Sequence, residues 1–168
     1  MADFGAGLAT TENVLAPLHV FRFHVSFRQD PLDGQGGGSV PLCGGAFSEC
    51  SGLEATMDPK AIESGGVNYG AAQRAGRVRF ATVVLRRGVT STQDLWQWFQ
   101  LVAGGAYAVR LSAEIAMLDA TGAPAVTWGL RRALPVKFKA ADLDGSGKEI
   151  GIEELHLAHE GLQLLGGG

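Results

Sequence analysis

The stretch Phe21-Arg22-Phe23-His24-Val25-Ser26-Phe27-Arg28 alternates without a break. Phe21, Phe23, Val25 and Phe27 fall on one side, and Arg22, His24, Ser26 and Arg28 on the other. Successive side chains of an extended chain point to opposite faces, so this is a β-strand with one face toward a core and the other toward water.

Outward from that strand, period-2 patterning recurs and helical patterning appears once. Residues Met1 to Pro17 are small, polar and aperiodic and read as an N-terminal arm, leaving 18–168 for one domain. Gln29 to Ser39 is a glycine-rich loop, and Ala46 to Met57 resumes short extended structure around Gly52. Asp58 to Arg77 holds four glycines and few large apolar residues, which predicts a long loop or a loosely paired hairpin. Val78 to Arg87 is a β-branched strand. The helix is expected over Ser91–Ala103: Leu95, Trp98, Phe99 and Val102 recur at helical spacing, Ser91 with Asp94 resembles a capping box, and Gly104-Gly105 is a natural stop. Strands follow at about Ala108 to Leu118, Val126 to Leu130, Val136 to Lys139 and Ile150 to Leu157, with a turn at Asp119-Ala120-Thr121-Gly122. Strands, one helix and more strands, with no βαβ alternation, predict a mainly β protein: a small antiparallel β-barrel or sandwich carrying one packed helix.

Bulk composition narrows the function. A chain of 168 residues fits one domain with a single core. Charged residues make up 18%, below the roughly 25% usual for soluble domains, and there are 25 glycines. A surface this poor in charge suits burial by other subunits. A net charge of -3 offers no basic excess for phosphates, so no sequence-specific nucleic acid is expected as a partner. Cys43 and Cys50 match neither a zinc knuckle nor a redox pair, and read as reduced structural thiols of a protein made in the bacterial cytoplasm. The N-terminus lacks a basic region followed by an apolar run, so no signal peptide is expected, and no stretch is apolar for long enough to insert in a membrane as a helix.

No motif assembles into a catalytic or cofactor site. Asp142, Asp144, Ser146 and Glu153 place oxygens at the calcium positions of an EF-hand loop, with Gly147 at the sharp turn. Pro135 to Lys139 before them alternates like a strand where an EF-hand needs a helix, so a polar turn is the better reading and no metal is expected. Gly145-Ser146-Gly147-Lys148 lacks both the leading glycine and the trailing hydroxyl of a phosphate loop. His156-Leu157-Ala158-His159-Glu160 has the composition of a zinc-protease helix in the wrong order. His19 and His24 have no Asp or Ser partner nearby and read as surface histidines. Trp98 shares the buried stripe of the helix, whereas Trp96 points about 160° away and is a candidate subunit contact. Arg86-Arg87 and Arg131-Arg132 lie on extended segments, where one of each pair faces either side. At least one of each must be solvated or matched by a carboxylate.

The order of segments resembles the tail tube proteins of contractile phage tails. Gly45 to Glu54 (GAFSECSGLE) is similar to that family's early signature, and Glu63-Ser64-Gly65-Gly66-Val67-Asn68-Tyr69 to the stretch that follows it. Val84 to Val89 with Leu95-Trp96-Gln97-Trp98 resembles the segment before and within its helix. Ile115 to Pro124, Trp128 to Pro135 and Glu149 to Gly161 continue in the same order. The resemblance covers about Val20 to Leu164, with a longer glycine-rich loop at Gln29 to Ser39 and Ala75 where the family often has proline. The family includes tubes of extracellular contractile injection systems and is distantly related to the tube protein of type VI secretion (Hcp-like folds). What the resemblance implies is a structural protein and not an enzyme. Its barrels would lie side by side in hexameric rings, stacked head to tail into a hollow tube. Sheath, baseplate hub or spike and tape-measure proteins would be its partners, with cargo in the lumen. The candidate contacts between subunits are Glu63, Asn68, Tyr69, Arg74, Arg87 and Trp96. Alternatives are a tube initiator or baseplate adaptor with the same fold, or a monomeric ligand-binding β-barrel.

Overall fold

The computed structural model describes residues 22–30, 39–40, 47–62, 65–66, 69–105 and 110–167. The elements run β1 (Phe23–Gln29), β2 (Ser39–Val40), β3 (Glu49–Ser51), β4 (Ala55–Met57), β5 (Lys60–Ile62), β6 (Ala72–Arg74), β7 (Val78–Phe80), β8 (Val83–Gly88), α1 (Asp94–Ala103), β9 (Leu111–Leu118), β10 (Pro124–Lys139), β11 (Ile152–Ala158) and β12 (Gly161–Gly167). The expected class holds: antiparallel β with one helix.

The pairing order β2-β1-β9-β10-β11-β8-β3, with β12 also on β10, makes one continuous sheet that folds over on itself. The fold-over is built into β10. Its first half pairs with β9 and β12, its second half with β11. Between them the register shifts at Leu130/Ala133 and again at Pro135/Lys137, and Arg132 takes a left-handed backbone (φ 49°). Such bulges bend a strand and let it pass from one layer to another. The sequence suggests two strands here, Val126 to Leu130 and Val136 to Lys139; the structure has one 16-residue strand with a corner in it.

Inward-facing positions alternate as the first strand predicts. Val25 and Phe27 of β1 are buried, as are Val83, Leu85 and Arg87 of β8, and Glu153, Leu155 and Leu157 of β11. Phe21 lies outside the described residues. The helix lays Leu95, Trp98 and Val102 into this core, with the Trp98 ring edge-on to Phe27 at 5.7 Å. Its start differs from expectation. Gln93, in a left-handed conformation (φ 50°), occupies the cap position and no side chain caps the helix. Ser91 lies in the preceding turn, and the Asp94 carboxylate accepts from Thr92 Oγ1 and Arg87 Nη2 instead. The predicted stop holds, with Gly104 at the C-cap and Gly105 at φ 111°. The predicted turn holds as well: Asp119 accepts from the Thr121 hydroxyl and from the Ala123 and Thr121 amides, which holds its pKa below the usual carboxylate range.

Cys50 on β3 carries a free thiol; Cys43 lies outside the described residues. Burial, and then the neighbouring Glu49 carboxylate, push the Cys50 pKa up to about 11. Because the thiolate is the nucleophile, alkylation of a Cys43→Ser chain at pH 8 should run about a hundred-fold slower than for an ordinary exposed thiol, and reach the ordinary rate once the chain is unfolded. Equal rates in the two states would mean that β3 does not hold Cys50 as described.

Candidate assembly surfaces

Two charged ladders cross the sheet at the same register on opposite faces. Inward, Glu153 of β11 lies opposite Arg87 of β8, and the two side chains meet at 2.5 Å. Arg87 also reaches Asp94 at the start of α1 at 2.6 Å, and its guanidinium lies 5.9 Å from the centre of the Phe47 ring. Outward, Glu49 of β3, Arg86 of β8 and Glu154 of β11 are directly opposite one another. Arg86 takes both carboxylates, Glu49 at 2.9 Å and Glu154 at 3.1 Å. His156 bonds the other oxygen of Glu154 at 3.2 Å. That bond first, and then the Arg86 and Lys139 charges, hold the Glu154 carboxyl below its usual range. A one-residue slip of β8 would break both ladders together, so they fix the register of the sheet.

This places one candidate contact elsewhere than expected. Arg87 is 1% exposed and ties β8, β11 and α1 together inside the barrel, so its side chain is not at the surface of the chain. The expectation that at least one arginine of each basic pair is solvated or matched by a carboxylate holds: Arg86 and Arg87 both have carboxylate partners, and Arg132 pairs with Glu160 at 2.9 Å. Glu153 is committed to this inner ladder and cannot complete a calcium loop. Asp144 instead accepts from the Ser146 amide and hydroxyl, and Asp142 pairs with Lys139 at 3.1 Å, leaving a polar turn on the loop between β10 and β11.

The other candidates are exposed where described. Tyr69 is 99% exposed and Arg74 lies on exposed β6; Glu63 and Asn68 lie outside the described residues. Both described residues belong to an arm that continues the β3–β8 ladder beyond the barrel. β4 pairs with β7 and β5 with β6, which resolves the Asp58 to Arg77 stretch as the loosely paired hairpin. Its root is tight. Gly52 turns the chain at φ 86°, where a side chain would strike the Thr82 carbonyl, and a Cβ at Gly76 would strike that of Asp58. Ala81 donates to Glu54 O, Asp58 donates to Arg77 O, and Arg79 pairs with Asp58 at 3.0 Å. Beyond the root, Met57, Ile62 and Val78 lie exposed, and no residue of β4 to β7 is in the core. A two-stranded ribbon of this kind is marginal alone and calls for something to lie against.

Three further surfaces carry apolar groups. Trp96 stands 43% exposed on the outer side of α1, flanked by Phe99 at 5.7 Å and Phe138 at 5.6 Å, with Leu101 exposed one turn on. β12 pairs only with β10 among the described residues and exposes Leu164 and Leu165. The loop 140–151 exposes Leu143 and Ile150. Sequence reading missed the last two. The Leu-Gln-Leu alternation of Gly161 to Gly167 was the signal for β12, masked by its glycines. The EF-hand likeness drew attention to the oxygens of the loop and away from its leucine and isoleucine. His156 and His159 hold local bonds, His159 Nδ1 lying 3.0 Å from Gly161 O.

The same architecture recurs in known assemblies. A chain in the six-fold symmetrised baseplate of the anti-feeding prophage superposes with a TM-score of 0.74 at 28% identity, over 90% of this chain and 97% of that one. A chain in the extended sheath–tube complex of the PVC extracellular contractile injection system gives 0.69 at 21% identity, over 90% and 93%. A type six secretion system protein gives 0.53 at 8% identity, over 85% and 83%, a likeness of fold alone. Comparison with curated protein sequences found no match. The model of the family described as T4-like virus tail tube protein gp19 matches residues 19–163, a span reaching from the alternating strand to β12, and the chain therefore belongs to the tail tube protein family.

Proposed function

We propose that this chain is the inner-tube subunit of a contractile, phage-tail-like injection particle and works by stacking, not by catalysis. In this reading residues 18–168 are one barrel domain, six of which would close a ring, and residues 1–17 would be an N-terminal arm. The observation that carries this reading is the family match over 19–163, on a fold that carries an exposed hairpin with no member in the core. Ring closure is a head-to-tail arrangement, in which unlike edges of neighbouring barrels meet, and stacking the unlike ends of rings gives an open tube. The exposed β12 edge suits the first contact, since pairing or covering it removes an unprotected strand. The arm suits the second. The outer face of α1, with Trp96, would lie away from the lumen, toward a surrounding sheath. A hub or spike, a tape-measure protein and lumenal cargo complete the partners, with the chain made in the bacterial cytoplasm and the particle either kept there or released outside the cell.

One observation favours a second reading within the same machine. The 28% identical relative comes from a baseplate, so a tube initiator or adaptor joining tube to baseplate fits as well. Negative-stain electron microscopy of the purified chain, with sizing chromatography, separates the two. The tube subunit should give hollow tubes or stacked six-fold rings, lengthening with concentration. A monomer or single ring that never stacks when concentrated would exclude the tube body and leave the initiator.

A further inference from the structure

We infer that the loop 140–151 between β10 and β11 is the seat into which the β4–β7 arm of the next copy docks, an inference that rests on the stacking reading above. The first support is topological. The arm leaves the barrel where β3 ends and β8 begins, with Gly52 against Thr82 and Val83. The loop lies at the other end of the same strands: Ile152 is opposite Gly88, and Val89 N donates to Gly151 O at 3.0 Å. The six residues of β8 separate the two features by roughly 20 Å, at about 3.3 Å per residue. An arm at one end of a barrel and a patch at the other are the two unlike surfaces that head-to-tail stacking brings together.

Apolar groups agree. Leu143 is 97% exposed and Ile150 is 80% exposed, with Val89 and Ile152 also exposed beside them. Leu143, Ile150 and Ile152 line an open groove of about 1020 Å³ together with Lys139 and Glu154. Side chains of this size are seldom left in water together unless something covers them. The arm offers matching groups in Met57, Ile62, Tyr69 and Val78, likewise exposed. Charge agrees too. Residues 140–151 carry Asp142, Asp144 and Glu149 against Lys148 alone, whereas residues 58–77 carry Lys60, Arg74 and Arg77 against Asp58 and Glu63. The loop is thus net acidic and the arm net basic, a pairing that steers the two ends together and disfavours loop-to-loop contact. The occupant is therefore a second copy of this chain, presented arm first.

The test uses two variants of the full chain. In Leu143→Asp/Ile150→Asp both changes are on exposed loop positions, so the thermal melt of the unassembled protein should stay as it was. Tubes sedimented at a fixed concentration should fall by about ten-fold or more while single rings persist. In the second, Ile62→Cys and Ile150→Cys are placed in a chain whose Cys43 and Cys50 are serine. Mild oxidation of its tubes should give a ladder of covalent oligomers on a non-reducing gel, and either cysteine alone should give none. Tubes of ordinary yield from the aspartate variant, or no ladder from well-formed cysteine tubes, would overturn the seat and leave stacking intact. Loss of rings along with tubes would also overturn it, by assigning the loop to the lateral contact. A wild-type chain that forms no tubes would instead remove the stacking reading and this seat with it.

Discussion

Replacing Arg87 with alanine should destabilise the unassembled protein by about 3–5 kcal/mol, because the change strands Glu153 inside the barrel without its counter-charge. The guanidinium is almost wholly enclosed and bridges two carboxylates from different elements, Glu153 on β11 and Asp94 at the start of α1. Its loss also frees the first turn of the helix, which has no side-chain cap to fall back on. In a domain of this size each kcal/mol is worth about 2–4 °C, so the melting temperature should drop by roughly 10 °C. Arg87→Met/Glu153→Leu separates charge from packing. It keeps most of the volume and removes both buried charges, and should recover most of the loss, since a buried ion pair often contributes little over an apolar pair of similar shape. Urea titration of the three proteins checks this. A loss under about 1 kcal/mol for Arg87→Ala would mean that the inner ladder is hydrated and not structural.

That ladder marks where sequence reading stopped. The alternation of Phe23 to Arg28, the Leu95/Trp98/Val102 stripe and the Asp119 turn are local signals, each carried by a few neighbouring residues, and each is found where the pattern put it. Arg87 looked like a surface residue because arginine normally is one. What buries it is Glu153, 66 residues further on, brought opposite by the register of β8 and β11. No window along the chain contains both. The same limit explains β10. Val126 to Leu130 and Val136 to Lys139 read as two strands, yet the chain keeps its ladders through Arg131 to Pro135 by bulging, a solution visible only once β9, β11 and β12 are laid alongside.

The assembly surfaces were partly legible for a related reason. Poor hydrophobicity and many glycines marked Asp58 to Arg77 as a segment outside the core, and Trp96 as a residue off the buried stripe. Both are properties of the segment itself. The exposure of Leu143, Ile150, Leu164 and Leu165 is not: leucine and isoleucine default to the interior, and only the finished barrel reveals that the interior is already filled by others.

The arm gives the largest expected effect on assembly. Exchanging residues 58–77 for a short glycine-serine turn should abolish tubes and leave the barrel folded. The two outcomes come from different parts of the structure. Every described residue of β4, β5 and β6 is exposed, and the core cluster draws no member from them, so little apolar burial is lost with the arm. The root bonds nearest the barrel, between Glu54 and Ala81, lie outside the deletion, and Gly52 still turns the chain at Thr82. A shorter loop also closes at slightly lower entropic cost. Thermal melting of the shortened chain should therefore stay within about 5 °C of the parent. Stacking has no such reserve. Without the arm the exposed Met57 and Val78 lose their apolar companions Ile62 and Tyr69 and the basic groups Lys60, Arg74 and Arg77, so the end of the barrel keeps only a remnant of the surface it offered the next copy. Electron microscopy should then show isolated rings where the parent gives tubes. Tubes of unchanged length and order from the shortened chain would show that the arm is not the contact between rings. A chain that loses its cooperative melt would show instead that the hairpin belongs to the folding unit.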